Sequence, residues 1–347
     1  MTYRIEERVL HFKQPAGTSR GVYTTRKIWL VYLSDGEREG VGECAPLPDL
    51  SCDARSDYAE VLERFCASQG DGSFVRSSDL TKEPSPCETL RPYPSMLFGL
   101  ETALLNLQNG DHLFDTAFSR GEVGIPINGL VWMGNYDEML QRLESKLEQG
   151  YRCVKLKIGA IDFEQELSLI KKIRERFSFH EVELRVDANG AFKYEEALYK
   201  LELLSQYNIH SIEQPIKQGQ WAYMAELCRE SPLPIALDEE LIGVNDPEMK
   251  AHMLKIIKPR YIILKPSLHG GMMGCREWIT TAKSQGIGSW ITSALESNIG
   301  LNAIAQFASD VYGDHITMPQ GLGTGQLFTD NIPMPLEIRG DQLWRCR

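Results

Sequence analysis

The chain has 347 residues, of which 42% are apolar, and it carries a formal net charge of −11 at pH 7. This length is enough for two domains, or for a barrel with a smaller additional unit. The negative charge argues against nucleic acid and an anionic membrane as partners, although a bound divalent cation would still permit an acidic substrate.

The sequence lacks the usual features of a secreted or membrane protein. Its first residues are charged where a signal peptide needs an apolar stretch, and no apolar run approaches the ~18 residues of a membrane span. The 8 cysteines form no CxxC pair, and the 7 histidines lack ligand spacing. We therefore expect free thiols in a reducing cytoplasm and no zinc site. No feature of the sequence fixes the oligomeric state.

An N-terminal α+β domain is predicted for residues 1–120. Strand-like segments are followed there by helical segments, and a stretch rich in Ser, Pro and Gly over residues 71–94 predicts a loop. The predicted elements are a strand over residues 27–33, a turn over residues 34–36, a returning strand over residues 40–44, and helices over residues 54–68 and 95–107. The tail, residues 321–347, has no further strand–helix unit, and we expect it to complete this domain.

Residues 121–320 are predicted to form a barrel. Strands are predicted over residues 127–132, 153–158, 182–187, 209–213, 235–238, 261–265, 289–293 and 316–318, and the helices between them include residues 137–149, 163–177, 194–206, 221–230, 247–257 and 274–285. Nearly continuous apolar strands that alternate with helices indicate a parallel sheet buried on both faces. Eight such units close into a barrel.

Polar side chains stand at the ends of successive predicted strands. They are Lys157, Asp187, Glu213, Asp238, Lys265 and Ser293, and neighbouring members lie 25 to 30 residues apart. One strand–helix unit of a barrel has about that length, roughly 31 residues for ~250 residues in eight units. We therefore expect these side chains to form a ring at the C-terminal mouth, where barrel enzymes build their active sites.

The three carboxylates of this ring indicate a metal site. Asp187, Glu213 and Asp238 would supply an all-oxygen ligand set suited to Mg²⁺, and Mn²⁺ could substitute. Without a cation, three clustered carboxylates would repel one another and lose their hydration. The alternative is that one or more of them pairs with Arg185 or with a lysine.

The lysines indicate a base. Lys155 and Lys157 point to the same side of one strand, and Lys265 lies across the barrel on the sixth strand. Crowded ammonium groups near Mg²⁺ lower each other's pKa, so one of them can be basic near neutral pH. The alternatives are a surface position for Lys155 and a counter-ion role for Lys265.

A metal flanked by opposed lysines suits removal of a proton next to a substrate carboxylate. The metal would stabilise the resulting enediolate, and a lysine would take the proton. Racemisation, cycloisomerisation and elimination of water share this first step, so the step does not determine the product.

These residues resemble the motifs of the enolase superfamily, muconate-lactonising subgroup. The similar segments are Val154-Lys155-Leu156-Lys157, Arg185-Val186-Asp187-Ala188-Asn189, Ile212-Glu213-Gln214-Pro215, Leu237-Asp238-Glu239, Leu264-Lys265-Pro266 and, for the capping domain, residues 40–48. The resemblance implies an α/β protein with a (β/α)7β TIM-like barrel under an N-terminal α+β capping domain. It also implies Mg²⁺ at the three carboxylates and Lys157 as the base, with Lys155 lowering the pKa of Lys157. Gln214 departs from the acidic residue that is commoner at that position.

Within the family, the segments over residues 293–300 and 321–324 resemble members that eliminate water from a cyclohexadiene carboxylate. The resemblance implies that Lys265 would stabilise charge over the ring. Met318-Pro319-Gln320 stands where dipeptide epimerases carry Asp-x-Asp. The alternatives are a racemase of N-acylated amino acids, a dipeptide epimerase, a lactonising cycloisomerase or a non-catalytic metal-binding barrel.

Five further residues are candidates for contact with a small carboxylate substrate: Arg20, Leu47, Arg185, Asn189 and Ser293. Arg20 lies in a glycine-flanked loop and could bind a carboxylate with two hydrogen bonds. Leu47 lies in a Pro-rich loop that could form a wall of the pocket. Arg185 and Asn189 belong to the Asp187 motif, and Ser293 could hydrogen-bond the substrate. An ordinary loop or packing role is equally open for each.

Overall fold

The computed structural model describes residues 1–18, 21–68 and 89–346, and its N-terminal part is an antiparallel sheet with two helices. The strands β1 (Thr2–Thr18), β2 (Gly21–Ser34) and β3 (Glu39–Cys44) lie in that order, and the helices are α1 (Tyr58–Ser68) and α2 (Pro94–Asn109). The predicted hairpin over residues 27–44 is confirmed. Strand β1 was not predicted, because most of its side chains are exposed and its sequence shows little alternation of apolar and polar residues.

Helix α2 packs directly on strand β3 through glycines. A Cβ atom on Gly42 would lie 1.8 Å from the carbonyl oxygen of Gly99, and a Cβ atom on Gly99 would lie 2.3 Å from the Cys44 sulfur. No side chain fits between these two backbones. The Gly-x-Gly segment that begins at Gly40 therefore serves close packing inside the capping domain.

Seven parallel strands alternate with seven helices in the barrel. The strands are β5 (Gly129–Val131), β6 (Cys153–Lys157), β7 (Glu183–Asp187), β8 (Ser211–Glu213), β9 (Ile235–Leu237), β10 (Tyr261–Leu264) and β11 (Gly288–Ile291), hydrogen-bonded in chain order. The helices are α3 (Tyr136–Glu148), α4 (Phe163–Arg176), α5 (Tyr194–Ser205), α6 (Trp221–Glu230), α7 (Pro247–Ile257), α8 (Gly271–Ser284) and α9 (Asn298–Tyr312). Helix α9 was not predicted; its residues from Ile299 to Ser309 are all buried, including the polar Asn302, Gln306 and Ser309.

The eighth strand position is occupied by two residues that close the barrel. Gln320 forms a parallel bridge with Ile127, and Gly321 forms one with Thr292. The predicted eighth strand over residues 316–318 is therefore wrong in position. Pro319 has no N–H group to donate to a neighbouring strand, so pairing begins only after it.

The C-terminal tail contacts both parts of the molecule. The backbone N–H of Lys13 donates to Leu327 at 2.8 Å, and the rings of Phe12 and Phe328 lie 4.5 Å apart. Farther on, β12 (Leu336–Arg339) and β13 (Gln342–Arg345) form a second antiparallel sheet with β4 (Ile125–Pro126). The domain boundaries at residues 120 and 320 stay a prediction.

The described ranges contain seven of the cysteines, all as free thiols. None of the helices in those ranges combines the length and apolar character that crossing a bilayer requires.

A buried carboxylate joins the capping domain to the barrel. Glu101, on α2, accepts hydrogen bonds from the backbone N–H groups of Met272 at 2.6 Å and Met273 at 2.9 Å, in the first turn of α8. Burial raises the pKa of Glu101 from 4.5 to about 7, against the opposite effect of the two N–H groups. Because the pKa is raised in the folded state, folding disfavours the ionised form.

We expect Glu101→Gln to remove a pH dependence of stability. The contribution of Glu101 is greatest below pH 4.5 and falls as the pH rises to about 7. Between about pH 5 and about pH 8 the unfolding free energy of the variant should therefore gain roughly 2–3 kcal/mol relative to the wild type. Urea unfolding at both pH values measures this difference, with Glu148→Gln on the exposed face of α3 as control. Parallel pH curves for Glu101→Gln and the wild type would contradict it.

Candidate active site

The predicted ring of lysines and carboxylates comes together at the C-terminal ends of the strands. The Lys155 ammonium lies 2.6 Å from Glu213 Oε2 and 3.0 Å from Asp187 Oδ2. The Lys157 ammonium lies 3.1 Å from the same Asp187 oxygen, and Lys265 contacts Asp238 Oδ2. Three lysines and three carboxylates from five adjacent strands therefore form one charged cluster.

This cluster is largely shielded from water. The carboxylate side chains are at most 3% exposed, whereas those of the three lysines are 11–14% exposed. The lysines therefore face the barrel mouth above the carboxylates. Removing one member of such a buried pair leaves an uncompensated charge, which is strongly destabilising.

The charges shift one another's pKa values. Burial opposes ionisation of Asp187, but Lys155 and Lys157 outweigh it and hold the pKa of this carboxyl well below its usual range. Burial likewise lowers the pKa of Lys155, but Asp187 and Glu213 reverse the effect, so the net pKa is raised. Without a metal, Lys155 is thus an ammonium that two carboxylates share. Burial and repulsion from Asp187 raise the pKa of Glu213.

The carboxylates offer oxygen atoms to a cation. Glu213 Oε1 and Asp238 Oδ1 are buried and have no hydrogen-bond partner among the described residues. Buried carboxylate oxygens of this kind are costly unless a cation or a donor meets them. Within the described ranges no group of three or more acidic, His or Cys side chains already has the spacing of a metal site, since each carboxylate turns toward a lysine. The donor set suits Mg²⁺, and the ligand assignment stays a proposal.

Asn189 connects the base candidate to a carboxylate that sequence reasoning missed. Its side-chain oxygen accepts from Lys157 Nζ at 2.7 Å, and its amide nitrogen donates to Glu239 Oε1 at 3.0 Å. A left-handed backbone at Asn189, with a φ of 44°, turns the side chain back toward Lys157. The sequence predicted Asn189 as a substrate contact. In the structure, its side chain is hydrogen-bonded to Lys157 and can orient that amine. In the sequence, Glu239 could have been identified from its position directly after Asp238.

Gln214 supports the metal-ligand candidates from behind. Its side-chain oxygen accepts from the backbone N–H of Asp238 at 3.3 Å, and its amide nitrogen donates to Glu240 at 2.9 Å. An acidic residue at this position could not donate to Glu240 unless it was protonated. Gln214 thus stands in place of the acidic residue that is commoner in the family, and its amide donates a hydrogen bond to the buried carboxylate of Glu240.

A cavity of about 950 Å³ opens above the cluster and continues along α3, so the barrel mouth is only part of it. Leu47, Asn189 and Ser293 line this cavity, as do the three lysines. The Ser293 hydroxyl is hydrogen-bonded to that of Thr324 at 2.7 Å.

Arg185 does not belong to the cavity lining. It lies one layer deeper, where its guanidinium donates to Glu183 at 2.7 Å and stacks 4.5 Å above the Trp290 ring. Its substrate role therefore lacks support, because a buried guanidinium with these partners does not reach the mouth. Arg20 lies outside the described residues.

Comparison with known protein families identifies the family of the chain that carries this cluster of lysines and carboxylates. A model described as enolase C-terminal domain-like matches residues 138–339, more than half of the chain. A model described as MenC N-terminal domain matches residues 19–107. The chain belongs to the enolase superfamily. The family resemblance and the fold class predicted from the sequence are thereby confirmed. Enzymes of the enolase superfamily use a divalent metal, typically Mg²⁺.

Individual relatives span almost the whole chain. An o-succinylbenzoate synthase of Desulfotalea psychrophila is 46% identical over 99% of this chain and 98% of that protein. The crystal structure of MenC from Desulfotalea psychrophila LSv54 has a TM-score of 0.83 and 42% identity, covering 99% of each chain. A dipeptide epimerase from Enterococcus faecalis V583, crystallised with Mg and the dipeptide L-Leu-L-Tyr, has a TM-score of 0.82 and 18% identity, covering 99% of this chain and 96% of that one. At that identity the epimerase shares the fold alone.

Proposed function

We propose that the chain is an o-succinylbenzoate synthase of menaquinone biosynthesis. The reaction is the dehydration of a succinyl-hydroxycyclohexadiene carboxylate to the aromatic product. The observation that carries the proposal is the cluster of three lysines and three carboxylates at the barrel mouth, in a chain that is 46% identical to a relative of that name over 99% of its length. We place the reaction in the cytoplasm, which the free thiols of the described residues support.

Asp187, Glu213 and Asp238 are the proposed ligands of Mg²⁺, and Mn²⁺ could replace it because it accepts the same oxygen donors. When bound, the metal would neutralise the negative charge that develops on a substrate carboxylate during deprotonation. The unpartnered oxygens of Glu213 and Asp238 support this assignment.

Lys157 is the proposed base. Its nitrogen is held by Asn189 at 2.7 Å and by Asp187 at 3.1 Å, in the lining of the cavity. In its neutral form this amine takes the proton from the carbon next to the substrate carboxylate. The resulting ammonium then gives that proton to the departing hydroxide, so that water leaves and the ring becomes aromatic.

Lys155 and Lys265 would contribute to the reaction through their positive charges. Lys155 is the proposed neighbour that disfavours protonation of Lys157, and its own two carboxylate contacts keep it charged. Lys265 reaches the cavity from the sixth strand and would stabilise negative charge over the substrate ring. Leu47 and Leu295 provide apolar surface for that ring.

A dipeptide epimerase is the main competing function, and Gln320 argues against it. The Gln320 side chain is 1% exposed, donates to the Met318 carbonyl at 2.7 Å and accepts from the Ile291 N–H at 2.7 Å. It is therefore a buried structural amide, bonded at both its oxygen and its nitrogen. A dipeptide amine would need a carboxylate at this strand position, and Gln320 offers none. The same barrel could also serve a racemase of N-acylated amino acids, a lactonising cycloisomerase or a non-catalytic metal-binding protein.

Incubation of the purified protein with Mg²⁺ and the cyclohexadiene carboxylate should produce the aromatic acid. The formation of this product can be monitored by its ultraviolet absorbance. Removal of the metal with a chelator should stop the reaction, and adding Mg²⁺ back should restore it. Absence of turnover with Mg²⁺ present would defeat the proposal. Uptake of solvent deuterium at the α-carbon of an N-acylated amino acid, without dehydration of the first substrate, would favour the racemase.

A further inference from the structure

Arg26 is a buried cation outside the reactive cluster. It lies on β2, is 2% exposed, and makes four hydrogen bonds within the described part of the chain. All four end on backbone carbonyls: Ala45 at 2.6 Å, Pro46 at 2.5 Å, Leu295 at 3.1 Å and Ala294 at 3.5 Å. A guanidinium can do this because its donors point in several fixed directions within one plane.

These carbonyls belong to two separate walls of the cavity. Residues 45–47, the cap wall, follow β3 in the capping domain and present Leu47 to the cavity. Residues 293–295, the barrel wall, follow β11 and present Ser293, Ala294 and Leu295. Arg26 therefore connects the walls through their backbones without lining the cavity itself.

The barrel wall needs such support because its backbone is strained. Leu295 has a φ of 64°, a left-handed conformation that a residue with a branched side chain rarely adopts. A conformation of this kind persists only where the surroundings fix it. The hydrogen bond from Arg26 to the Leu295 carbonyl provides that restraint.

Two buried carboxylates hold the same region from the other side. Glu296 accepts from the backbone N–H of Ala294 at 2.6 Å, and Glu43 accepts from those of Ser297 at 2.8 Å and Gly300 at 2.9 Å. Burial lowers the pKa of Arg26, and these two carboxylates oppose that effect. The residues that oppose this effect therefore also fix the barrel wall.

We propose that Arg26 is a positioning residue that sets the distance between the cap wall and the barrel wall and so determines how tightly a flat six-membered ring is held. The inference rests on the proposed function. On this proposal the walls contact parts of the substrate that do not react, so they bind it equally before and during proton transfer. Loss of such uniform binding raises KM and leaves kcat nearly unchanged.

The test compares Arg26→Lys with the wild type and with Arg174→Lys. Arg174 is a matched control, because its guanidinium also donates to three backbone carbonyls, those of Tyr207, Val182 and Asn208, and it does not line the cavity. For Arg26→Lys we expect KM for the cyclohexadiene carboxylate to rise about tenfold, with kcat within about twofold and an unchanged Mg²⁺ affinity. For Arg174→Lys we expect KM to stay at the wild-type value.

A purely structural role predicts a different result. Loss of folded protein lowers kcat and the melting temperature at unchanged KM, and that outcome for Arg26→Lys would overturn the proposal. Should Arg26→Lys fail to fold, Arg26→Gln removes the charge and leaves an amide that can donate to only part of the same carbonyls, and an unchanged KM there would overturn the proposal equally. If the proposed function itself is wrong, the wild type will not turn over the cyclohexadiene carboxylate. That result can be distinguished from failure of the Arg26 proposal alone. KM is then measured with whichever N-acylated amino acid the wild type racemises.

Discussion

Lys157→Ala should abolish dehydration while the protein still binds Mg²⁺. Loss of a general base typically costs about 10²–10⁴-fold in rate, and here the same group is also the proposed acid for the departing hydroxide. Lys155 cannot replace it, because contacts with Asp187 and Glu213 raise its pKa and keep it an ammonium. Turnover assays measure the loss, and calorimetric titration with Mg²⁺ shows that the metal site survives.

Two further variants serve as controls for Lys157→Ala. Lys157→Arg keeps the positive charge but cannot give up a proton near neutral pH, so it should be as inactive as the alanine variant. Lys171→Ala removes a lysine whose side chain is 65% exposed on α4 and should behave as the wild type does. Substantial turnover by Lys157→Ala would show that the base is a different residue.

The reactive cluster can be predicted from the sequence because barrel geometry repeats along the chain. Its members other than Lys155 recur every 25 to 30 residues at the ends of successive strands, and parallel strands place their C-terminal ends at one mouth. That argument needs only the length of one strand–helix unit. It locates Lys157, Asp187 and their partners without any knowledge of the loops.

The residues that orient the cluster could not be found in this way. Asn189 reaches Lys157 and Glu239 because its backbone is left-handed, which the spacing of strands does not specify. Arg26 acts on residues 45–46 and 294–295, whose proximity depends on how the capping domain sits on the barrel. Arg185, predicted as a substrate contact, shares a strand face with Asp187 but lies two residues earlier, where it contacts Glu183 and the Trp290 ring outside the cavity lining. Its role stays a prediction.

The errors in secondary structure have related causes. Helix α9 buries even its polar residues Asn302, Gln306 and Ser309, so polarity there does not mark an exposed face. Strand β1 is so exposed that the alternation of apolar and polar residues is lost. The eighth strand position holds two residues, too short a segment for any pattern. In each case contacts with the rest of the fold, rather than local sequence, determine the element.

Asp187→Asn should weaken Mg²⁺ binding by at least about 100-fold. Changes at residues that merely support a metal ligand cost about 10–100-fold in affinity, and the loss of a charged ligand should cost no less. The same substitution acts on the metal-free protein, because Asp187 Oδ2 contacts Lys155 at 3.0 Å and Lys157 at 3.1 Å. Breaking a buried ion pair costs about 3–5 kcal/mol, so unfolding by urea in the presence of a chelator should also report a large loss.

The two measurements on Asp187→Asn distinguish a metal ligand from a simple counter-ion. Asp137→Asn, on the exposed first turn of α3, is the control for removing one negative charge from the chain. If both affinity and metal-free stability fall, Asp187 holds the metal and also balances the lysines before the metal arrives. If stability falls while calorimetry finds the wild-type affinity, Asp187 is a counter-ion for Lys155 and Lys157 only. The metal would then have to be held without Asp187.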